Sequence, residues 1–286
     1  MNGKASSYQL GLILVTASAV VWSTAGLFTR IIVADTATVV FWRGIFSAIG
    51  IAAMAYCVYG RPAFQKLPFA AWVYAVLSGF GMITFVMAFR YTSVAHVAII
   101  YAAVPFIAGA AAWLLIGERI GIRSIIASSA AFLGVIVMVG LGNDGKLFGD
   151  FLALLMTFAL AGMMIVGRRH RDIPMLPAAA LSALIGSLGV LPFAHVSNVT
   201  PHDWVWLAGF GLFNSAIGLG LFTLGSQRIP PAETGLIGAL DVPLAPLWIW
   251  MVFGDIPALA TFIGGGIVLV AVIFHLSGSL RNSSAL

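Results

Sequence analysis

The sequence predicts an all-α integral membrane protein of ten transmembrane helices, built as two five-helix repeats of opposite orientation. Three observations predict it. Of 286 residues, 61% are hydrophobic and only 8% charged, against about 25% charged in a water-soluble domain; that is too little charge to cover a surface facing water. The apolar residues fall in runs of about 20, the length a helix needs to cross the hydrocarbon core. A motif in the first half of the chain returns in the second.

The expected spans are 10–32, 38–58, 70–88, 94–116, 123–141, 149–167, 175–194, 204–226, 233–253 and 258–276. The first follows a short polar stretch, Met1 to Ser7; it is longer than the apolar core of a signal peptide and is expected to remain as an anchor. The connections are short and carry turn residues, as in "YGRPAFQKLP" between the second and third spans and "GNDGK" between the fifth and sixth. No water-soluble domain fits between them. One cysteine, Cys57, excludes an internal disulfide and argues against a Cys-rich metal site.

The basic residues give the orientation. With the N-terminus inside, the inner side receives Lys4, Arg61, Lys66, Arg119, Arg123, Arg168, Arg169, Arg171, Arg228 and Arg281, and the outer side Arg30, Arg90 and Lys146. The outer loops carry Asp35, Asp144, Asp150, Asp203 and Asp255. This bias puts both termini in the cytoplasm and the protein in the cell membrane as a multi-pass chain. The formal charge of +5 is therefore a topology signal, and nucleic acid is not an expected partner. Seven tryptophans (Trp42, Trp72, Trp113, Trp204, Trp206, Trp248 and Trp250) lie near span ends, at headgroup level. Trp22 lies inside the first span.

"GFGMITFVMAFR" at 79–90 and "GLGLFTLGSQR" at 218–228 share Gly-x-Gly-x-x-Thr and a closing Arg, with one residue of slip. Pro105 follows Arg90 by fifteen residues, and Pro243 follows Arg228 by fifteen. "IGER" at 116–119 matches "FGDI" at 253–256. The chain thus divides into 1–142 and 143–286. Five spans per unit make the second copy enter from the opposite side, and inverted repeats with matching interrupted helices are the architecture of secondary transporters. Each proline frees the carbonyl four residues earlier: Tyr101 for Pro105, Ala239 for Pro243 and Val242 for Pro246. A freed carbonyl at membrane depth must face a neighbouring helix or a wet cavity.

The stretches "FRYTSVAHVAIIYAAVPFIAGAAAWLLIGERI" and "GSQRIPPAETGLIGALDVPLAPLWIWMVFGDIP", with Arg43 in "FWRG", resemble the EamA repeats of the drug/metabolite transporter superfamily. The second copy departs in carrying Asp255 for the usual Glu and Pro230-Pro231 where the first has Thr92-Ser93. The resemblance implies a central cavity lined by the first, third, fourth, sixth, eighth and ninth spans. It also implies a small-molecule substrate and no cofactor. The chain looks most like the amino-acid exporter branch.

The candidate substrate-binding residues are Trp22, Thr84, His96, Tyr101, Asn214, Thr234 and Asp241. Trp22 reads either as packing or as a cavity wall, and Asn214 as helix–helix glue or as a substrate contact. Thr84 and Thr223 match across the repeat, though a helical Thr hydroxyl usually bonds its own backbone. His96 corresponds to Thr234, each about two turns before its proline. Arg43 is expected to snorkel toward the headgroups as an anchor, and Glu118 with Arg119 to fix a loop. Asp241 sits near mid-membrane, where a carboxylate costs about 3 kcal/mol. It reads as a holder of a substrate ammonium, as a proton exchanger, or as a structural lock on a broken helix. The fold and function to expect are those of a secondary transporter exporting amino acids or other amphipathic metabolites or drugs. A channel would need a filter or a symmetric ring, and an enzyme a cluster such as His-Glu-x-x-His; neither is present in the sequence. Tags at both termini and at Lys66 are expected to report the cytoplasm, and tags at Asp144 and Asp203 the outside; an external C-terminus would require an odd span count.

Overall fold

In the computed structural model, which describes residues 2–140, 146–197 and 199–284, ten helices are long and apolar enough to cross a membrane. The described residues contain no strand. The expectation at Asp144 lies outside the described residues. In chain order the helices are α1 (Asn2–Ser23), α2 (Ala25–Ile31), α3 (Thr36–Tyr59), α4 (Phe69–Tyr91), α5 (Val94–Ala102), α6 (Val104–Ile116), α7 (Ile122–Val139) and α8 (Leu147–Arg169). They continue with α9 (Leu176–Val190), α10 (Pro201–Gly209), α11 (Gly218–Ser226), α12 (Pro231–Gly238), α13 (Asp241–Phe253) and α14 (Leu259–Ser284). Four pairs share a span: α1 with α2, α5 with α6, α10 with α11, and α12 with α13.

Local chemistry explains the helix starts. Asp35 caps α3 by accepting from the amides of Ala37 and Thr38, each at 3.1 Å. Ser93 caps α5 through the His96 amide, and Thr200 caps α10 through the Asp203 amide. These three caps begin the second, fourth and eighth spans, which share the membrane face opposite the N-terminus. Both copies of the short span-ending motif adopt one conformation. Gly117 ends α6 at φ +71° and Gly254 ends α13 at φ +77°, a left-handed backbone that glycine adopts without strain.

The helix contacts are lined with small residues. Within a bilayer the tails are as apolar as the side chains, so association relies on close packing rather than on a hydrophobic drive. α4 packs against α8 and α9, α3 against α9, α1 against α11, and α6 against α8 and α12. Buried Ala71, Ala75, Ala108, Ala178 and Ala179 fill these seams. Large apolar side chains instead point out of the bundle, as Leu114 (74% exposed), Ile13 and Val270 do, which is the inverse of a water-soluble surface.

The tightest seam joins α7 and α14. A Cβ on Gly134 would stand 2.7 Å from the Gly264 carbonyl oxygen, and a Cβ on Gly264 would meet the Gly134 carbonyl. Backbone faces backbone, so no side chain can yield. Gly134→Ala and Gly264→Ala are each expected to destabilise the bundle by about 1–3 kcal/mol, read as a lower unfolding temperature in detergent, whereas Gly266→Ala, where a Cβ meets nothing within 4 Å, leaves it unchanged.

Candidate functional site

Three spans are interrupted near mid-membrane. In the fourth, Ala103 separates α5 from α6, with Pro105 in the first turn of α6. In the ninth, Ala239 and Leu240 separate α12 from α13, with Pro243 in the first turn and Pro246 inside. The carbonyl that Pro243 frees is taken in a tight turn: the Val242 amide donates to Ala239 O at 3.3 Å. In the fourth span, the Ala103 amide donates to Ile100 O and the Phe106 amide to Ala103 O, both at 3.1 Å.

The third interruption was not expected. The first span breaks at Thr24, between α1 and α2, without a proline. Side-chain hydroxyls do the work of a cap: Ser23 Oγ donates to Val20 O at 2.6 Å and Thr24 Oγ1 to Val21 O at 2.7 Å. Asn214 closes the break from the eighth span, its amide donating to Val21 O at 2.7 Å, Trp22 O at 3.2 Å and Thr24 Oγ1 at 3.1 Å. Trp248 Nε1 donates to Ser23 Oγ at 2.8 Å from the ninth. Around Asn214 the eighth span widens into a π-helix, Phe210–Ile217, a local widening that recurs at functional sites.

These contacts place the candidates. Trp22 lies against Phe222, ring centroids 5.0 Å apart, and covers Gly218, where a Cβ would meet its indole. Tyr101 reaches the break in the ninth span. Its hydroxyl stands 3.9 Å from where a Cβ on Gly238 would sit, three residues before Asp241. Asp241 opens α13, ten residues after Pro231 and twelve before Phe253. Its Oδ1 is buried and without a hydrogen-bond partner. Seven residues on, Trp248 shares its face of α13 and touches the break in the first span.

Thr84 and Thr234 are buried with their hydroxyls on their own helix, at Phe80 O (2.9 Å) and Pro230 O (3.1 Å). His96 sits away from the breaks, near the end of its span, where Nδ1 lies 3.1 Å from Asp150 Oδ2 and Thr92 Oγ1 donates to Asp150 Oδ1 at 2.6 Å. Arg43 does not reach for the headgroups. Its guanidinium turns inward between the third and eighth spans, 3.1 Å from Met82 Sδ and 4.9 Å from the centre of the Phe210 ring. Beside it, the backbone of α3 approaches Gly211 closely, the Arg43 carbonyl oxygen standing 2.8 Å from where a Cβ would sit. Glu118 serves the sixth span rather than its own loop, accepting from Arg168 Nε at 2.9 Å and Arg171 Nη2 at 3.4 Å.

The half-helices are packed unequally. Those nearer the N-terminal face, α6 and α12, are in backbone contact: a Cβ on Gly235 would stand 3.1 Å from the Pro105 nitrogen. Side chains reinforce this face. Tyr8 Oη donates to Glu233 Oε2 at 2.5 Å, His275 Nε2 lies 3.3 Å from the same oxygen, and Arg168 Nη1 reaches Gln227 O at 3.4 Å. The partner half-helices go separate ways, α5 to α7 and α8, α13 to α14, α1 and α2. Their ends are held apart in the same sense, His96 by Asp150 and Arg30 by Asp255. Two recesses lie elsewhere. One of about 620 Å³ on the N-terminal face is lined by Arg168, Arg169, Arg171, Glu118 and Asp172, two of its cations already on Glu118; the other is an apolar groove between α7 and α14.

The sequence missed Ser23, Thr24, Tyr8, Glu233 and His275. Only the run Ser23-Thr24-Ala25-Gly26, polar and small inside an apolar span, hinted at the first break.

A family model described as the EamA-like transporter family matches residues 9–140 and again 147–277. An uncharacterized transporter of Archaeoglobus fulgidus is 23% identical over 203 residues, covering 70% of this chain and 73% of that protein. A solved crystal structure superposes with a TM-score of 0.78 over 94% of this chain and 96% of the other, at 18% identity, which is a likeness of fold.

Removing the amide of Asn214 takes its hydrogen bond from the Trp22 carbonyl and leaves the Val21 carbonyl to Thr24 alone. Asn214→Ala is expected to cost about 1–3 kcal/mol and to alter Trp22 fluorescence; an unchanged unfolding temperature would mean water replaces the amide and the break does not depend on it.

Proposed function

Because the chain belongs to the EamA-like transporter family, we propose that it is a secondary transporter that exports small amphipathic metabolites, amino acids foremost, from the cytoplasm. Its two five-span halves, 1–142 and 143–286, are inverted copies embedded in the cell membrane with both termini cytoplasmic. The observation that carries this reading is the pair of mid-membrane breaks in the fourth and ninth spans, one opened by Pro105 and the other beside Asp241 and Pro243. Interrupted helices at matched positions mark the substrate site of inverted-repeat transporters.

Asp241 supplies the chemistry. A buried carboxylate oxygen without a partner costs about 1–3 kcal/mol or more, and a substrate ammonium removes that cost. Tyr101 and Trp22 line the approach, aromatic walls that hold an amphipathic side chain. The contact of α6 with α12 on the N-terminal face, together with the separate neighbours of α5 and α13, supports alternating access. On this reading the contact closes the cytoplasmic side, and rocking of one half against the other would part α6 from α12 and bring α5 toward α13. Resemblance to the amino-acid exporter branch supports the substrate class.

The test is flux in proteoliposomes. Wild-type protein is expected to move labelled amino acids saturably, with competition by unlabelled ones. Asp241→Asn keeps shape and hydrogen bonding, so it should purify normally yet lose at least about tenfold in flux. Conductance without saturation would instead assign a channel, and full flux in Asp241→Asn would leave the carboxylate a structural role.

A further inference from the structure

Arg43 is a half-buried cation, its Nε fully enclosed, for which the site described so far has no use. It lies in α3, seven residues from the Thr36 end. Its one hydrogen bond is from Nη2 to Met82 Sδ at 3.1 Å, and Nε is buried with no partner. The ion pairs that arginines make among the described residues are Arg30 with Asp255 and Arg168 and Arg171 with Glu118; Arg43 is in none of them. A guanidinium carries five N–H donors in a planar fork, and a thioether sulfur is a weak acceptor. Leaving such donors unmet inside an apolar bundle is costly, so the position calls for an acceptor that the protein itself does not provide.

The surroundings orient the guanidinium. It lies 4.9 Å from the centre of the Phe210 ring, and Phe210 stacks on Phe28 with centroids 5.0 Å apart and planes 3° from parallel. Phe28 belongs to α2, the short half of the broken first span, and Phe210 opens the π-helix that holds Asn214. A flat aromatic support thus connects Arg43 to both irregular segments. Its contacts also give its depth. Met82 is nine residues from Tyr91, and Phe210 nine from Pro201, while Asp241 is twelve from Phe253, all counted from the face opposite the N-terminus. The guanidinium and the Asp241 carboxylate therefore differ in depth by about three residues of rise, roughly 5 Å. In depth, such an offset is one that a small molecule with opposite charges a few bonds apart can span, with a hydrogen bond of about 2.8 Å at each end.

We propose that Arg43 holds the carboxylate of the substrate and that, with Asp241 on the ammonium, it makes a bipolar site for a zwitterion. This rests on the amino-acid reading of the transport function and deepens it. The carboxylate accepts the two parallel N–H groups of the fork, the geometry for which a guanidinium is suited and an ammonium is not. The substrate then lies with its carboxylate toward the face opposite the N-terminus and its ammonium at the break in the ninth span.

The experiment is inhibition of labelled L-phenylalanine flux in proteoliposomes by three unlabelled probes: L-phenylalanine, its amide, which lacks the carboxylate, and its N-acetyl derivative, which lacks the ammonium. In wild-type protein L-phenylalanine should inhibit about tenfold better than either analogue. Arg43→Gln should lose the preference over the amide while keeping that over the N-acetyl derivative, and Asp241→Asn should do the reverse. If Arg43→Gln does not elute as a monodisperse protein, Arg43→Lys decides: a retained charge without the fork should lower the preference over the amide severalfold. Wild-type preference over the amide in both Arg43 variants, or in Arg43→Lys alone where the other does not fold, would overturn the assignment and leave the amino-acid reading standing. Absence of saturable flux of any amino acid by wild-type protein would overturn both.

Discussion

A backbone amide or carbonyl released in the middle of a membrane has no water to turn to, and the architecture around the broken spans follows from that constraint. At Thr24 the helix is interrupted with no proline to force it, and the released carbonyls are collected by Ser23, Thr24 and Asn214. Asn214 can reach them because the eighth span is wound into a π-helix at that height and because Gly218 lets the Trp22 indole lie against its backbone. At Pro243 the released carbonyl is recaptured by Val242, three residues on. The breaks therefore require specific neighbours, and those neighbours bring the first, eighth and ninth spans together.

Charge follows a related logic. At the membrane faces carboxylates find basic side chains: Asp255 meets Arg30, Asp150 meets His96, Glu118 meets Arg168 and Glu233 meets His275. These pairs sit at helix ends and tie spans to one another. Deeper in, Asp241 and Arg43 each keep a buried polar atom without a partner. These two stand apart from the pairing pattern of the faces, each with a buried polar atom that no protein group meets.

The unequal packing of the half-helices bears on the alternating access proposed above. Glycine and proline let α6 and α12 approach to backbone distance, so that contact is made of surfaces without long side chains. It can part without extracting anything from a pocket. The network of Tyr8, Glu233 and His275 and the bond from Arg168 to Gln227 lie beside it. Their polar groups lie toward the N-terminal face, where the rocking proposed above would rehydrate them.

By itself the sequence determined the solvent, the number of spans, their limits to within a few residues for most, and the places of the prolines, because hydrophobic length and proline chemistry are local properties of a chain. It also marked Asp241 and Asn214, since a polar side chain in an apolar run is visible without a structure. The tenth span runs on to Ser284, beyond the apolar stretch that announced it, because nothing in a helix-forming tail compels it to stop at the membrane border. What only the tertiary structure decided is which polar groups meet. Arg43 meets Met82 and Phe210 of neighbouring spans; a helix seen alone would let it snorkel outward. Glu233 and His275 lie more than forty residues apart in sequence and join at one face, and the break at Thr24 exists because Asn214, Ser23 and Trp248 satisfy it from three spans at once. Local propensity records none of this, because each such feature is stable only when residues distant in the chain arrive to complete it.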